Sequence, residues 1–123
     1  MMNAQAFLSE CRQPFVHGAH DCAEAVAAAL RDCAPRLCAA LAAAKQRDDY
    51  ATADVWSLAY TLARECRARC VETTEPTPAW GLADTRAGLT VAVRSPRGLW
   101  YAKGERGPRR IPTKCVVIAW EPV

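Results

Sequence analysis

A chain of 123 residues, 51% apolar and 24% charged, is long enough to bury one core of its own and too apolar for a disordered segment. Its longest apolar run, Cys22 to Leu30, is broken by Glu24 and falls far short of a membrane span. The opening "MMNAQAFLSECR" lacks the basic start and unbroken apolar stretch of a signal peptide, so a cytoplasmic product with no membrane partner is expected.

In chain order, Ala4 to Glu10 reads as a short helix ending before Pro14. Asp21 then looks like an N-cap, with Glu24 three residues on completing a D-x-x-E variant of the capping box and Cys22 in the first helical turn. That helix runs to about Arg31, Pro35 forces a break, and Arg36 to Lys45 continues in helix. The segment "QRDDYATAD" supplies turn residues, Asp48 and Asp49 among them reading as a solvated pair.

Val55, Leu58, Ala59, Leu62, Cys66 and Cys70 fall on one stripe of an amphipathic helix, with Arg64, Arg67 and Arg69 off it. A connecting loop is expected over about 73–87, where prolines and glycines gather. Beyond it "LTVAVRS", "LWYAKGE" and "VVIAW" are β-prone runs separated by "PRG" and "RGPRRIPTK". Helices over about 4–72 followed by strands over about 88–123 predict a single α+β domain with an antiparallel sheet. Trp80, Trp100 and Trp120 read as core or sheet-face anchors, Trp56 as the edge of the apolar stripe, and Trp100 with Tyr101 as an alternative ligand-stacking pair.

The net charge of +3 conceals an asymmetry. From Thr85 to Cys115 eight Lys or Arg stand against one acid, Glu105. Arg94, Arg97, Lys103, Arg106, Arg109, Arg110 and Lys114 would form a basic face open to a polyanion or an acidic partner. No aromatic-plus-basic motif of a nucleic-acid module accompanies them, so nucleic acid is not expected and a solvated sheet face is the plainer reading.

Seven cysteines, an odd number without an export signal, read as small buried hydrophobes rather than disulfide partners. Cys66 and Cys70, at i and i+4, would offer two thiolates to a zinc ion completed by His17 or His20. No CxxC-type spacing supports one, and neither metal nor cofactor is expected. Cys22 is different, because unpaired backbone N–H groups and the macrodipole at a helix start favour a thiolate. Burial would oppose that, so exposure decides its reactivity.

The segment "PFVHGAHDCAEAVAAAL" resembles the catalytic-cysteine segment of NlpC-type papain-like hydrolases, and more closely a small branch of that superfamily found in tailed phages and prophages. Members of that branch read F-x-W-G-x-x-D-C; here Phe15, Gly18, Asp21 and Cys22 match, and His17 stands where Trp is usual. "RDDYATA" resembles the branch's R-x-x-Y-x-T segment, "RAGLTVAV" its G-D strand and "AWEPV" its A-W ending.

The resemblance implies a papain-like NlpC-type α+β fold, N-terminal helices packed on a small C-terminal antiparallel sheet. It implies Cys22 as nucleophile facing a histidine on a strand. The only histidines, His17 and His20, both precede Cys22. The expectation is therefore a catalytically degenerate domain acting in tail or virion assembly with other virion proteins. The alternatives are an active cysteine hydrolase or amidase on cell-wall peptides, with His20 as an unorthodox base to Cys22, and a polyanion or nucleic-acid binder using the basic face of the C-terminal sheet. His17 is expected to pack, with a polar tip.

Overall fold

The computed structural model describes residues 2–47, 50 and 53–123, so the reading of Asp48 and Asp49 lies outside the described residues. Four helices precede the sheet: α1 (Ala4–Cys11), α2 (Cys22–Leu30), α3 (Pro35–Lys45) and α4 (Val55–Glu65). Six strands follow: β1 (Cys70–Val71), β2 (Ala79–Thr85), β3 (Gly88–Arg94), β4 (Trp100–Lys103), β5 (Pro108–Ile111) and β6 (Val116–Trp120). The strands form one antiparallel sheet in the order β1-β6-β2-β3-β4-β5. This is the α+β arrangement expected from sequence. No helix among the described residues is long and apolar enough to cross a membrane.

Two boundaries differ from expectation. The apolar stripe of α4 does bury Leu58, Ala59 and Leu62, but the helix stops at Glu65 and Cys70 opens a strand. Arg67 takes a left-handed conformation (φ 56°), its N–H bonds Arg64 O, and the Ala68 N–H bonds Ala63 O, which closes the helix C-terminus. An arginine carries that conformation where glycine is usual, so no local signal announced the stop. With the helix ended, Cys66 is buried and Cys70 exposed, and the i, i+4 zinc pair does not exist. No group of three or more metal-ligating side chains occurs among the described residues.

The second difference is β2, which occupies the middle of the sheet inside the stretch expected to be loop. "AWGLADT" lacks polar alternation because its residues from Ala79 to Ala83 are buried on both faces. Trp80 and Leu82 join Val91, Val93 and Trp120 against the helices, while Ala79 and Ala83 line the opposite face with Ala92, Ala102 and Ala119.

That opposite face is concave. In a flat sheet β5 and β6 would lie four strand spacings apart, about 19 Å. The connection from Ile111 to Val116 contains a 3-10 turn over Thr113–Cys115, and even fully extended its five steps would reach only about 17 Å. The sheet therefore curls until Ile111 and Val116 meet in one cluster.

Ala79, Ala83, Ala92, Ala102 and Ala119 line the curl around one large side chain. Trp100, fully buried, fills it, its indole N–H donating to Thr73 O at 3.0 Å. Arg94 is also fully buried. Its guanidinium lies 5.4 Å from the Trp100 ring centre, and it donates to Glu72 O, to Thr77 O at 2.6 Å and to Thr77 Oγ1 at 3.1 Å, fastening loop 72–78 over this face. Trp100 thus offers no surface for ligand stacking.

On the helix side, Lys103 Nζ donates to Glu10 O and Gln13 O, each at 2.6 Å, placing its charge where the last carbonyls of α1 need donors. Arg94 and Lys103 are therefore internal fasteners rather than members of a solvated basic face. Arg109 is half-buried and reaches Thr85 Oγ1 at 3.3 Å; Arg97, Arg106, Arg110 and Lys114 are exposed.

Gly81 is the tightest point of the curl. A Cβ there would sit 2.5 Å from Ile118 O and 3.1 Å from Trp100 Cη2. Gly81→Ala must push strand β6 or Trp100 aside, and is expected to cost about 1–3 kcal/mol, a drop of several degrees in Tm by calorimetry. An unchanged Tm would mean that the curl is looser than described.

Candidate functional site around Cys22

The entry to α2 is built on one carboxylate. Asp21 is buried, with Oδ1 accepting the Glu24 N–H at 2.9 Å and Oδ2 accepting the Gly18 N–H at 2.9 Å. The first bond is the expected N-cap. The reciprocal half of the capping box is not made, because the Glu24 carboxylate instead pairs with Lys45 of α3.

A third donor comes from far along the chain. The Tyr50 hydroxyl, buried, donates a hydrogen bond to Asp21 Oδ2 at 2.6 Å. Burial and this bond push the Tyr50 phenol well above its usual range. His17 stacks on the same ring at 5.0 Å between centroids, and its Nε2 lies 2.9 Å from Tyr50 O. His17 is exposed rather than packed in the core, with its ring against Tyr50 and its polar tip engaged. Tyr50 was not singled out from sequence beyond its place in the R-x-x-Y segment; a lone tyrosine in a polar turn gives no sign of a buried partner 29 residues away.

Cys22 begins α2 and packs against the core cluster that holds Val91 of β3; polar interaction with the Val91 backbone and the Thr90 side chain favours its thiolate. Burial raises the thiol above its ordinary pKa. These two contacts pull the other way, and the Asp21 charge adds to the rise. The helix-start field, about 0.3–1 kcal/mol at exposed sites, corresponds to less than one pKa unit and does not reverse the effect of burial. Thr90, itself buried, bonds Val91 O through Oγ1 at 3.2 Å. A hydroxyl so placed can donate to the sulfur or to that carbonyl, but it cannot take a proton near neutral pH as a general base must.

His20 turns elsewhere. Its Nδ1 lies 2.7 Å from Glu10 Oε1 on α1, and its backbone bridges to Val16. Among the described residues no hydrogen bond joins either histidine to Cys22. The structure thus brings Asp21, Tyr50 and His17 together, sets Cys22 against Thr90, and ties His20 to α1. Compared with protein-family models, with curated proteins and with solved structures, the chain matches none. What the site can do chemically therefore rests on its own geometry: a half-buried cysteine whose thiol is raised by desolvation, a carboxylate whose acceptors are taken up by structural donors, and no imidazole hydrogen-bonded to the sulfur.

Tyr50→Phe and Asp21→Asn are each expected to destabilise the fold by about 1–3 kcal/mol, since each leaves a buried partner wanting. The double variant should lose less than the sum, by 0.5 kcal/mol or more in a denaturant cycle. Strict additivity would mean that the two groups do not act on one another.

Stability should also respond to alkali. Cys22, Cys38, Cys66 and Tyr50 are raised by burial, and Cys11 is pushed up to about 11. Each group stays protonated in the folded chain when its unfolded counterpart has ionised. Their stabilisation is complete below the thiol reference of 9.0 and is lost as pH rises toward the folded values. Tm is expected to fall steadily from about pH 8.5 to 10.5; a flat profile would contradict the burial of these groups.

Proposed function

We propose that this chain is a non-catalytic papain-like domain, related to the phage and prophage branch of the NlpC-type superfamily that its Asp-Cys segment resembles, and that it acts through protein interaction in tail or virion assembly. One observation carries the reading: the strand facing Cys22 presents Thr90 where such a hydrolase would need an imidazole, and the thiol it faces is protonated by burial. Nucleophilic catalysis by cysteine requires a thiolate and a base oriented by a third group. Here His20 is held by Glu10, His17 by Tyr50, and Asp21 is occupied in capping.

The remaining features suit a scaffold. The nucleophile position is retained at the helix start, while the polar groups around it have become structural ties between the entry loop, α2 and Tyr50.

Two measurements test this. Iodoacetamide labelling of the folded protein, read by mass spectrometry at each cysteine, should find Cys22 slower than exposed Cys70 at pH 7, with its rate still rising above pH 9. Thr90→His should bring an imidazole to the sulfur and accelerate Cys22 labelling at pH 7 by about tenfold or more. Rapid labelling of wild-type Cys22 below neutral pH, together with Cys22-dependent cleavage of peptidoglycan peptides, would replace the scaffold reading with the hydrolase one.

A further inference from the structure

We propose that the outer edge of β5, with the groove beside it, is a docking site for an extended acidic peptide segment that adds to the sheet as a seventh strand. β5 is terminal in the strand order and pairs only with β4, so one row of its backbone groups has no strand partner among the described residues. Such a row is a template for an added strand.

Register places side chains around this edge. Tyr101 lies opposite Arg110 and Lys103 opposite Pro108, so these four share the helix-facing side of the sheet. Between that side and α1 runs a groove of about 420 Å³, lined mainly by apolar groups including Phe7, Leu8, Pro96, Tyr101 and Pro108. Leu8 is exposed beside it. An added strand would direct alternate side chains toward this groove, where an apolar one would be sheltered.

Charge selects the occupant. Arg106 and Arg110 are exposed at this edge and Lys114 follows β5, while the sole acid of segment 85–115 is Glu105. Arg94 and Lys103 are consumed internally; of the five exposed cations of this segment, Arg106, Arg110 and Lys114 stand on or beside β5, and Arg86 and Arg97 lie in the β2–β3 and β3–β4 turns. Basic residues on an edge strand repel a second copy of the same edge and favour a strand carrying Asp or Glu beside its apolar residues. The surface lies on α1 and β5, and the inference stands whether or not Cys22 is reactive.

The test uses the whole chain immobilised and two pools of peptides about eight residues long, the length of an ordinary strand. Both carry Val, Ile, Leu or Phe at alternate positions; one has Asp or Glu between them, the other Lys. At low salt the wild type should retain the acidic pool about tenfold over the lysine pool, and the preference should fall as salt rises. R106E/R110E, altering two exposed side chains and checked by an unchanged Tm, should abolish or invert it. Retained peptides added to 15N-labelled protein should shift the amides of residues 109–111. Equal retention of both pools, indifference to R106E/R110E, or shifts confined elsewhere would overturn the proposal, as would displacement of the peptide by oligothymidylate at lower concentration.

Discussion

Two neighbouring backbone N–H groups and one distant hydroxyl meet on the carboxylate of Asp21, and the entry to α2 is organised by that meeting. The Gly18 N–H fixes the entry loop, the Glu24 N–H fixes the first turn of α2, and the hydroxyl ties Tyr50 to both. A buried carboxylate is tolerable only with its acceptors filled, since an unpaired one would cost several kcal/mol in desolvation. All three donors must therefore be present at once. This couples the junction: the cap that starts α2 at Cys22 and the Tyr50 hydroxyl share one carboxylate, so loss of either bond weakens the other.

How much of this was legible in the sequence depended on the distance over which each signal acts. The cap at Asp21 and the start of α2 were readable because capping is a contact between neighbours three residues apart. The burial of Trp80, Trp100 and Trp120 followed from their size. Strand β2 was not readable, because a central strand of a curled sheet is selected by small size on one face and bulk on the other. The run Ala79-Trp80-Gly81-Leu82-Ala83, met beside prolines and a glycine, shows neither alternating polarity nor a β-branched run. The stop of α4 at Glu65 was hidden for a similar reason, since Arg67 occupies a conformation that sequence assigns to glycine.

The basic residues show the same division between local and tertiary information. Eight cations in thirty-one residues look like one surface feature when read along the chain. Folding sorts them by depth: Arg94 satisfies backbone oxygens of a loop that would otherwise leave the concave face open, and Lys103 satisfies carbonyls at the end of α1. Charge–backbone bonds of this kind are stronger than neutral ones and join elements that share little apolar contact. Of the cations left at the surface, Arg106, Arg110 and Lys114 stand on or beside the β5 edge, while Arg86 and Arg97 occupy the β2–β3 and β3–β4 turns.

Cys22 brings these constraints to bear on chemistry. A helix start lowers a thiol's pKa through a field that weakens within one turn, whereas packing against a strand raises it through loss of water from the sulfur itself. The same approach of α2 to β3 that shelters the sulfur is set by Val26, Ala29 and Leu30 packing under the sheet with Val91 and Val93. A base on β3 would change this balance, because an imidazolium beside the sulfur stabilises the thiolate where a hydroxyl supplies at most one hydrogen bond. The balance at the sulfur is thus set jointly by its loss of water and by the side chains that β3 turns toward it.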